Sequence, residues 1–454
     1  MRRIALIYTA MLLTATASAA QQSGGATMEG MAGMAAAQMP EMPVMPGMPN
    51  MQPQTFIDAI LLHDTSGTSA QPNSTPVPML MTQKRRWTLM FHANVFVTDQ
   101  QQSGPRGADK FFSTDWFMGM AQRKAGPGTF TIRAMPSLEP ATVTGRQYPL
   151  LFQQGETAYG KPIADGQHPH DFIMELAALY DIKLASHTLL SFYFAPVGDP
   201  AIGPEAYPHR PSAAENPLAT LGHHQEDSTH IADDVATAGL TYHIARIEAS
   251  GFHGREPGED RWEIDQGRID SWSLRLTAQP GQNWSAQYSY ARIHSPEALY
   301  PAESQQRMTA SVMYNRPVRL RAGPGGNWSS ILVWGRTSAL SGDSVFNSYL
   351  LESTLRFSPR NTVWARMENA RRSNELILGE NPLPANFQEM PIGSVQAYTF
   401  GYDREFEVVP RLASAIGAQF TTYGVPGRLQ PIYGSHPAGV AMFLRLGPHS
   451  SEPR

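Results

Sequence analysis

The chain has 454 residues, a formal net charge of −4 with a pI near 6.4, and no cysteine. The absence of cysteine excludes disulfides, thiol nucleophiles, zinc–thiolate sites and iron–sulfur clusters. The slight negative charge gives no bulk attraction to nucleic acid, and charged residues make up only 16% of the chain, well below the roughly 25% of an average soluble protein.

Residues 1–20 have the pattern of a secretory signal peptide. Arg2 and Arg3 form a positive start, and the apolar run at 4–13 is too short to cross a bilayer as a helix. Ala17-Ser18-Ala19 matches a cleavage motif. We therefore expect an exported protein.

Residues 21–85 are expected to form a flexible, Met- and Pro-rich periplasmic arm and linker, interrupted by a short amphipathic helix near 55–63. Prolines between the methionines exclude a stable helix in the arm itself. Thioethers are soft ligands that select Cu(I) or a similar ion. Two interpretations stay open, a segment that binds a soft metal ion or a biased linker. The methionines concerned are Met28, Met31, Met34, Met39, Met42, Met45, Met48 and Met51.

From residue 86 onward, polar and apolar residues alternate, as in Ser271-Trp272-Ser273-Leu274-Arg275-Leu276. This period of two is typical of strands with two different faces. The alternation predicts sixteen strands, at 87–97, 112–122, 127–135, 171–184, 187–196, 230–242, 245–254, 268–279, 283–294, 305–316, 327–338, 347–358, 360–371, 392–404, 411–423 and 437–447.

The connections between these strands alternate between short turns and long loops, with long loops after strands 3, 5, 7, 9, 13 and 15. This asymmetry is the signature of a bacterial outer-membrane barrel with periplasmic turns. The sequence thus predicts an all-β fold, a closed antiparallel transmembrane β-barrel of about 16 strands (14–18) with long extracellular loops, over 86–447, before a tail at 448–454. Trp87, Trp284, Trp328 and Trp364 are expected in an aromatic girdle facing lipid. A soluble β-sandwich or propeller is the alternative, which the loop asymmetry disfavours.

Several strands place arginine on the polar face, where a barrel has its lumen. A charge facing lipid at mid-depth costs about 2–4 kcal/mol, so these side chains should point inward. There they either favour anions in an open channel or form internal salt bridges that close it. The residues are Arg133, Arg275, Arg356, Arg366 and Arg445.

Histidines and carboxylates concentrate between residues 166 and 234, mostly on the long-loop side. Imidazole suits zinc, copper, iron and nickel, and neighbouring carboxylates orient the rings or ligate. The spacing matches no established zinc motif, and a polar network that packs the loops is the interpretation favoured over a metal site. The candidate ligands are His168, His170, Asp171, His223, His224, Asp227 and His230.

An enzyme is the less favoured alternative. Ser228 lies close in sequence to His224 and His230, which is the composition of a nucleophile and its base. The chain has no G-x-S-x-G nucleophile elbow, and proximity in sequence establishes no geometry.

Two resemblances accompany these patterns. The methionine-rich arm ahead of a barrel resembles the copper-resistance protein B family of Gram-negative bacteria, over the arm and the general architecture only. Most of 86–447 resembles uncharacterised bacterial outer-membrane proteins, which implies a location and a barrel but no substrate. That likeness rests on the run at 210–233 and on His253-Gly254-Arg255-Glu256-Pro257, Ser295-Pro296-Glu297-Ala298-Leu299 and Tyr314-Asn315-Arg316-Pro317.

The sequence therefore predicts an outer-membrane barrel in contact with lipid, for passage or sequestration of a small solute. Copper or another soft or borderline transition metal is the most specific solute proposed. The alternatives are a general porin-like channel without a metal role and an outer-membrane hydrolase. No nucleic-acid partner is expected.

Overall fold

The computed structural model describes residues 52–228, 232–320, 323–342, 344–409 and 412–448. Five short helices occur in these ranges: α1 (Phe56–Leu62), α2 (Glu139–Thr142), α3 (His223–Glu226), α4 (Glu375–Leu378) and α5 (Gln430–Tyr433). The strands are β1 (Leu80–Lys84), β2 (Trp87–Gln102), β3 (Lys110–Ala125), β4 (Gly128–Pro136), β5 (Tyr148–Pro149), β6 (Glu156–Ala158), β7 (Lys161–Ile163), β8 (Gly166–Gln167), β9 (Ile173–Ala185), β10 (Thr188–Gly198), β11 (Ala232–Tyr242), β12 (Ala245–His253), β13 (Ser271–Gly281), β14 (Trp284–Ile293), β15 (Gln305–Leu320), β16 (Gly323–Ala339), β17 (Val345–Ser358), β18 (Asn361–Ser373), β19 (Pro391–Val409), β20 (Leu412–Gly424) and β21 (Ala438–Pro448).

Sixteen of these strands close into one antiparallel barrel. The wall runs β2, β3, β4 and then β9 through β21, and β21 pairs back onto β2 with Val95 opposite Leu446. The short strand β1 adds a hairpin to the start of β2. The predicted barrel and its strand number are confirmed, and each of the sixteen predicted segments lies on one wall strand.

The two ends of the barrel differ strongly. At one end, seven connections between wall strands consist of two residues each, as between Ala125 and Gly128. At the other end, the connections β4–β9 and β10–β11 span 137–172 and 199–231. Short turns face the periplasm in outer-membrane barrels, so the long loops are extracellular.

The wall has an apolar outside and a polar inside. In β13 buried and exposed residues alternate, with Arg275 buried and Leu274 and Leu276 exposed to 46% and 54%. A closed sheet has no edge with unpaired backbone groups, and its apolar outer surface suits contact with lipid. The chain is therefore an outer-membrane β-barrel. Among the described residues, no helix is long and apolar enough to cross a membrane.

Aromatic residues mark the periplasmic edge of the outer surface. Trp284 and Trp328 are 46% and 43% exposed, and both rings contact Tyr314, with centroids 4.6 and 5.3 Å away. These rings fit the predicted interfacial girdle. Trp364 does not belong to it: that prediction was wrong, because Trp364 is buried beside Phe443 on the inner face.

The segment from residue 52 to β1 is folded, so the prediction of a flexible linker there was wrong. Helix α1 forms as expected, with a capping box between Thr55 and Asp58, and buries Phe56, Ile57 and Ile60. The Ser/Thr/Gln-rich stretch that follows is largely buried because its polar groups bond the wall; Gln279 and Ser285, for example, donate to backbone carbonyls of this stretch. We call residues 52–79 the N-terminal plug.

The loop between β10 and β11 also folds into the barrel. Its backbone meets inward side chains of distant strands: Gly203 N donates to Ser289, and Arg275 donates to the Gly203 carbonyl. Arg275 also donates to Thr68 of the N-terminal plug at 2.9 Å. The two segments therefore meet inside the lumen. We call residues 199–228 the loop plug.

Candidate functional site

The candidate site lies at the extracellular mouth, where two long loops meet. In the first loop, β6 pairs with β7 and β5 with β8, and these small sheets place Glu156 and Gln167. In the second, Gly222 precedes helix α3. A Cβ at Gly222 would collide with Ser348 of the wall, so glycine permits the close approach that sets His223 and His224 in place.

Glu156 is the centre of the cluster. Its Oε1 lies 2.7 Å from His224 Nε2 and 3.0 Å from His168 Nε2, and it accepts a hydrogen bond of 3.2 Å from Gln167. His168 Nδ1 lies 2.6 Å from the Pro169 carbonyl. A ring held through Nδ1 in this way presents Nε2 in a fixed direction, as metal-ligating histidines commonly do.

His223 completes the cluster from the loop plug. Its ring meets that of His224 edge-on at 4.1 Å between centroids, and its Nε2 lies 2.8 Å from Gln167 Oε1. Glu156, His223 and His224 each offer one ligand atom, and these atoms all lie within 4.8 Å of one another. Two imidazoles and a carboxylate at this separation form a set that one transition-metal ion spans. We call Glu156, His168, His223 and His224 the mouth cluster.

The charges of the mouth cluster are tuned by its surroundings. Burial by itself would raise the pKa of Glu156, but the adjacent His168 and His224 hold that pKa well below its usual range. Burial and the neighbouring His224 lower the pKa of His223. The pKa of His224 is raised because Glu256 and Glu156 outweigh its burial, and burial raises the pKa of Glu256 to about 7. The raised pKa of His224 favours the protonated ring in the metal-free protein, and a bound cation would compete with that proton.

The remaining predicted ligands lie elsewhere. His170 Nδ1 contacts Glu139 at 3.0 Å, Asp171 pairs with Arg261 at 3.1 Å, and Asp227 lies 3.5 Å from Arg210. These three are therefore held in separate ion pairs and not in the mouth cluster. His230 and the eight arm methionines lie outside the described residues.

Sequence reasoning did not single out Glu156. It precedes His168 by 12 residues and His223 by 67, and no spacing pattern connects it to them. Only the convergence of two loops, which local patterns do not encode, brings it beneath the imidazoles.

All five predicted lumen arginines are paired with carboxylates. Arg133 pairs with Glu175 at 2.7 Å, and the remaining contacts range from 2.6 to 2.9 Å. Their partners are Glu248 for Arg275, Glu405 for Arg356, Glu352 for Arg366 and Glu215 for Arg445. This arrangement fits the internal salt bridges that were one of the two interpretations.

The residues of the hydrolase alternative are Ser228 and its candidate bases His224 and His230, of which His230 lies outside the described residues. Ser228 is buried to 3% exposure in the loop plug, whereas His224 Nε2 points at Glu156. Catalysis by this pair would require His224 to leave its carboxylate.

No family model and no curated protein matches the chain. Solved structures with a similar fold include a loop-deletion mutant of OmpT from Vibrio cholerae, with 6% identity, a TM-score of 0.45, and coverage of 80% of this chain and 99% of that one. An anion-selective porin from Comamonas acidovorans has 13% identity, a TM-score of 0.44 and the same coverage. OprB of Pseudomonas putida has 8% identity and a TM-score of 0.47, and covers 80% of this chain and 94% of that one.

Proposed function

We propose that this outer-membrane barrel captures a divalent transition-metal ion at its extracellular mouth, for passage or sequestration. The observation that carries the proposal is the convergence of Glu156, His223 and His224, whose ligand atoms lie within 4.8 Å of one another. His168 supports the set because it contacts the same carboxylate oxygen. Imidazole suits copper, zinc, iron and nickel, and zinc sites combine imidazole with carboxylate ligands.

Charge favours a divalent ion in this cluster. Glu156 is ionised, and Glu256 lies close enough to His224 to raise its pKa. A polar cavity of about 30 Å³ adjoins His224 and is lined by Glu297, Glu303 and Arg307. A cavity of that size holds roughly two water molecules, which supplies the open coordination positions that an exchanging ion keeps.

Metal binding by purified full-length protein tests the proposal. The protein is incubated with Zn(II), or separately with Cu(II), then dialysed and analysed for metal content. Wild type is expected to retain about one ion per chain at this cluster, and His223→Ala/His224→Ala to lose it. His253→Ala/His294→Ala is the matched control, because these extracellular histidines lie outside the mouth cluster, beside Asp270 and Ser304.

The fold of each variant is checked by thermal unfolding before metal is added. Equal metal content in the mouth and control variants would overturn the proposal. Glu156→Gln gives a second reading, because it keeps the shape of the side chain and removes the charge. It is expected to weaken Zn(II) binding at least about tenfold, since the loss of one anionic ligand costs more than about 1.4 kcal/mol.

A further inference from the structure

The lumen contains a methionine cluster that the mouth cluster does not involve. Of the seven methionines buried among the described residues, six pack together: Met79, Met90, Met118, Met120, Met135 and Met174. The seventh, Met313, lies in a separate cluster with Ile331, Val333 and Leu350. We call the group of six the lumen methionine cluster.

The strand register explains how these methionines meet. Met81 of β1 is opposite Met90 of β2, and Met90 is opposite Met120 of β3, so three thioethers form one row across three neighbouring strands. Two residues along the same face, His92 is opposite Met118. Cross-strand neighbours have Cβ atoms about 4.5–5.5 Å apart, so their side chains can reach a common ion.

Two imidazoles point at sulfur atoms of the cluster. His92 Nε2 lies 2.9 Å from Met118 Sδ, and His209 Nε2, from the loop plug, lies 2.7 Å from Met135 Sδ. The two rings are 5.7 Å apart between centroids, and Trp116 packs on both of them, at 5.0 and 3.9 Å. Two imidazole–thioether pairs therefore lie side by side between the wall and the loop plug.

Apolar packing alone does not account for this composition. The two largest of the other buried clusters consist of Ala, Leu, Ile, Val, Phe and Tyr, with no methionine among their described members. A packing role also gives no reason for two imidazoles to approach thioethers in a dry environment, where a polar ring is costly to bury. Thioether and imidazole together are ligands for a soft cation.

The charge of the surroundings favours a monovalent ion over a divalent one. The donors are neutral, and the methionine row continues directly to the buried Arg133, which is opposite Met120 in the strand register. A second positive charge on the ion would increase the cost of removing the ion from water, and neither the neutral donors nor Arg133, which is paired with Glu175, would offset that cost. We propose that Met118, Met135, His92 and His209 bind a monovalent soft cation, Cu(I) or Ag(I), within the lumen. The proposal deepens the metal-handling function above and rests on it for its physiological role, whereas the binding itself is independent of the mouth cluster.

The test follows individual methionines in the full-length protein. The chain is labelled with 13C at the methionine methyl groups, refolded in detergent and titrated with Ag(I), which is stable in air. Met118→Leu and Met135→Leu assign the two resonances and, combined, remove both sulfur ligands with little change of volume. Met313→Leu assigns the control.

The methyl resonances of Met118 and Met135 are expected to shift with Ag(I), while that of Met313 stays in place. In the double variant, Ag(I) bound per chain should fall by about one ion, with no fall in Met313→Leu. Unmoved resonances of Met118 and Met135 at saturating Ag(I), or equal silver content in the double variant and the control, would overturn the proposal.

The proposals for the two metal sites can be rejected independently of each other. Loss of Zn(II) binding in His223→Ala/His224→Ala with Ag(I) shifts intact is expected if both sites exist. If Zn(II) binding is absent in wild type while Met118 and Met135 respond to Ag(I), the mouth proposal fails and the lumen proposal stands.

Discussion

At the scale of single residues, buried arginines contact both the wall and a plug. Arg133 is completely buried, pairs with Glu175, and donates hydrogen bonds to the carbonyls of His63 and Thr65 at 3.1 and 2.6 Å. One guanidinium thus satisfies a wall carboxylate and the backbone of the N-terminal plug. Arginine suits this role because its five donors are arranged in a rigid fork.

Replacing Arg133 by methionine should destabilise the protein strongly. The change leaves Glu175 as an unpaired buried charge, which costs about 3–5 kcal/mol in comparable cases. Denaturant unfolding in detergent measures the loss. Arg316→Met, at an exposed position of β15, is the control and should change stability by less than about 0.5 kcal/mol. A loss for Arg133→Met as small as the control's would contradict this account.

His224 should make the stability of the metal-free protein depend on pH. Its pKa is raised above the usual 6.5 by Glu256 and Glu156, so the protonated ring stabilises the folded state. That contribution is fully present below pH 6.5 and is lost as pH rises through the raised folded pKa. The melting temperature of His224→Ala should therefore fall further below wild type at pH 6 than at pH 9. His294→Ala, at an exposed loop position, should show no such difference; an equal deficit at both pH values for His224→Ala would contradict the prediction.

At the scale of elements, the wall was predictable and the contents of the lumen were not. Each wall strand has a lipid side and a lumen side, so apolar and polar residues alternate along it, as in β13. That pattern is visible in the sequence of the single strand. The N-terminal plug has the composition of a linker, because it packs against a polar lumen and needs no apolar face after α1. The mouth cluster was half predicted: histidines stood out by their rarity, whereas Glu156 joins them only through the folding of two loops.

Part of the lumen methionine cluster is visible in the sequence. Met90 and His92 share one face of β2, and Trp116, Met118 and Met120 share one face of β3. Each set shares a face because side chains alternate with a period of two along a strand. The partners across strands depend on the register, which the sequence of one strand alone does not specify.

Helix α1 should hold the N-terminal plug in place. Ile60 is 5% exposed and packs with Phe56 and Leu189, which belongs to wall strand β10. Ile60→Ala removes buried methyl groups, and such a change costs about 2–5 kcal/mol in a packed core. The plug is therefore expected to become sensitive to proteinase K before residue 80 while the barrel stays protected. Leu184→Ala, at a 58% exposed position near the end of β9, is the control, and equal cleavage of both variants would contradict the role of α1.

At the scale of the whole molecule, the barrel has the wall of a pore and a filled interior. The loop plug is joined to the wall by Arg210, whose Nε lies 3.2 Å from Glu352 Oε1, and Glu352 Oε2 lies 2.6 Å from Arg366 of the neighbouring strand. A sixteen-stranded barrel encloses an aqueous channel unless something occupies it. Passage of a solute then requires the loop plug to move, and Arg210 is one of the contacts that resist this movement.

Conductance in planar bilayers distinguishes a plugged barrel from a general porin. Wild type is expected to give low conductance, because the N-terminal and loop plugs fill the lumen. Arg210→Ala should raise the conductance, because it removes one of the contacts that hold the loop plug, while Arg366 continues to neutralise Glu352, so the wall remains intact. Arg356→Ala is the matched control, because its partner Glu405 lies on wall strand β19 and the pair joins wall to wall. A wild-type channel that is already wide and steady, and unchanged in Arg210→Ala, would favour the porin alternative, since the plugs would then not close the barrel in a membrane.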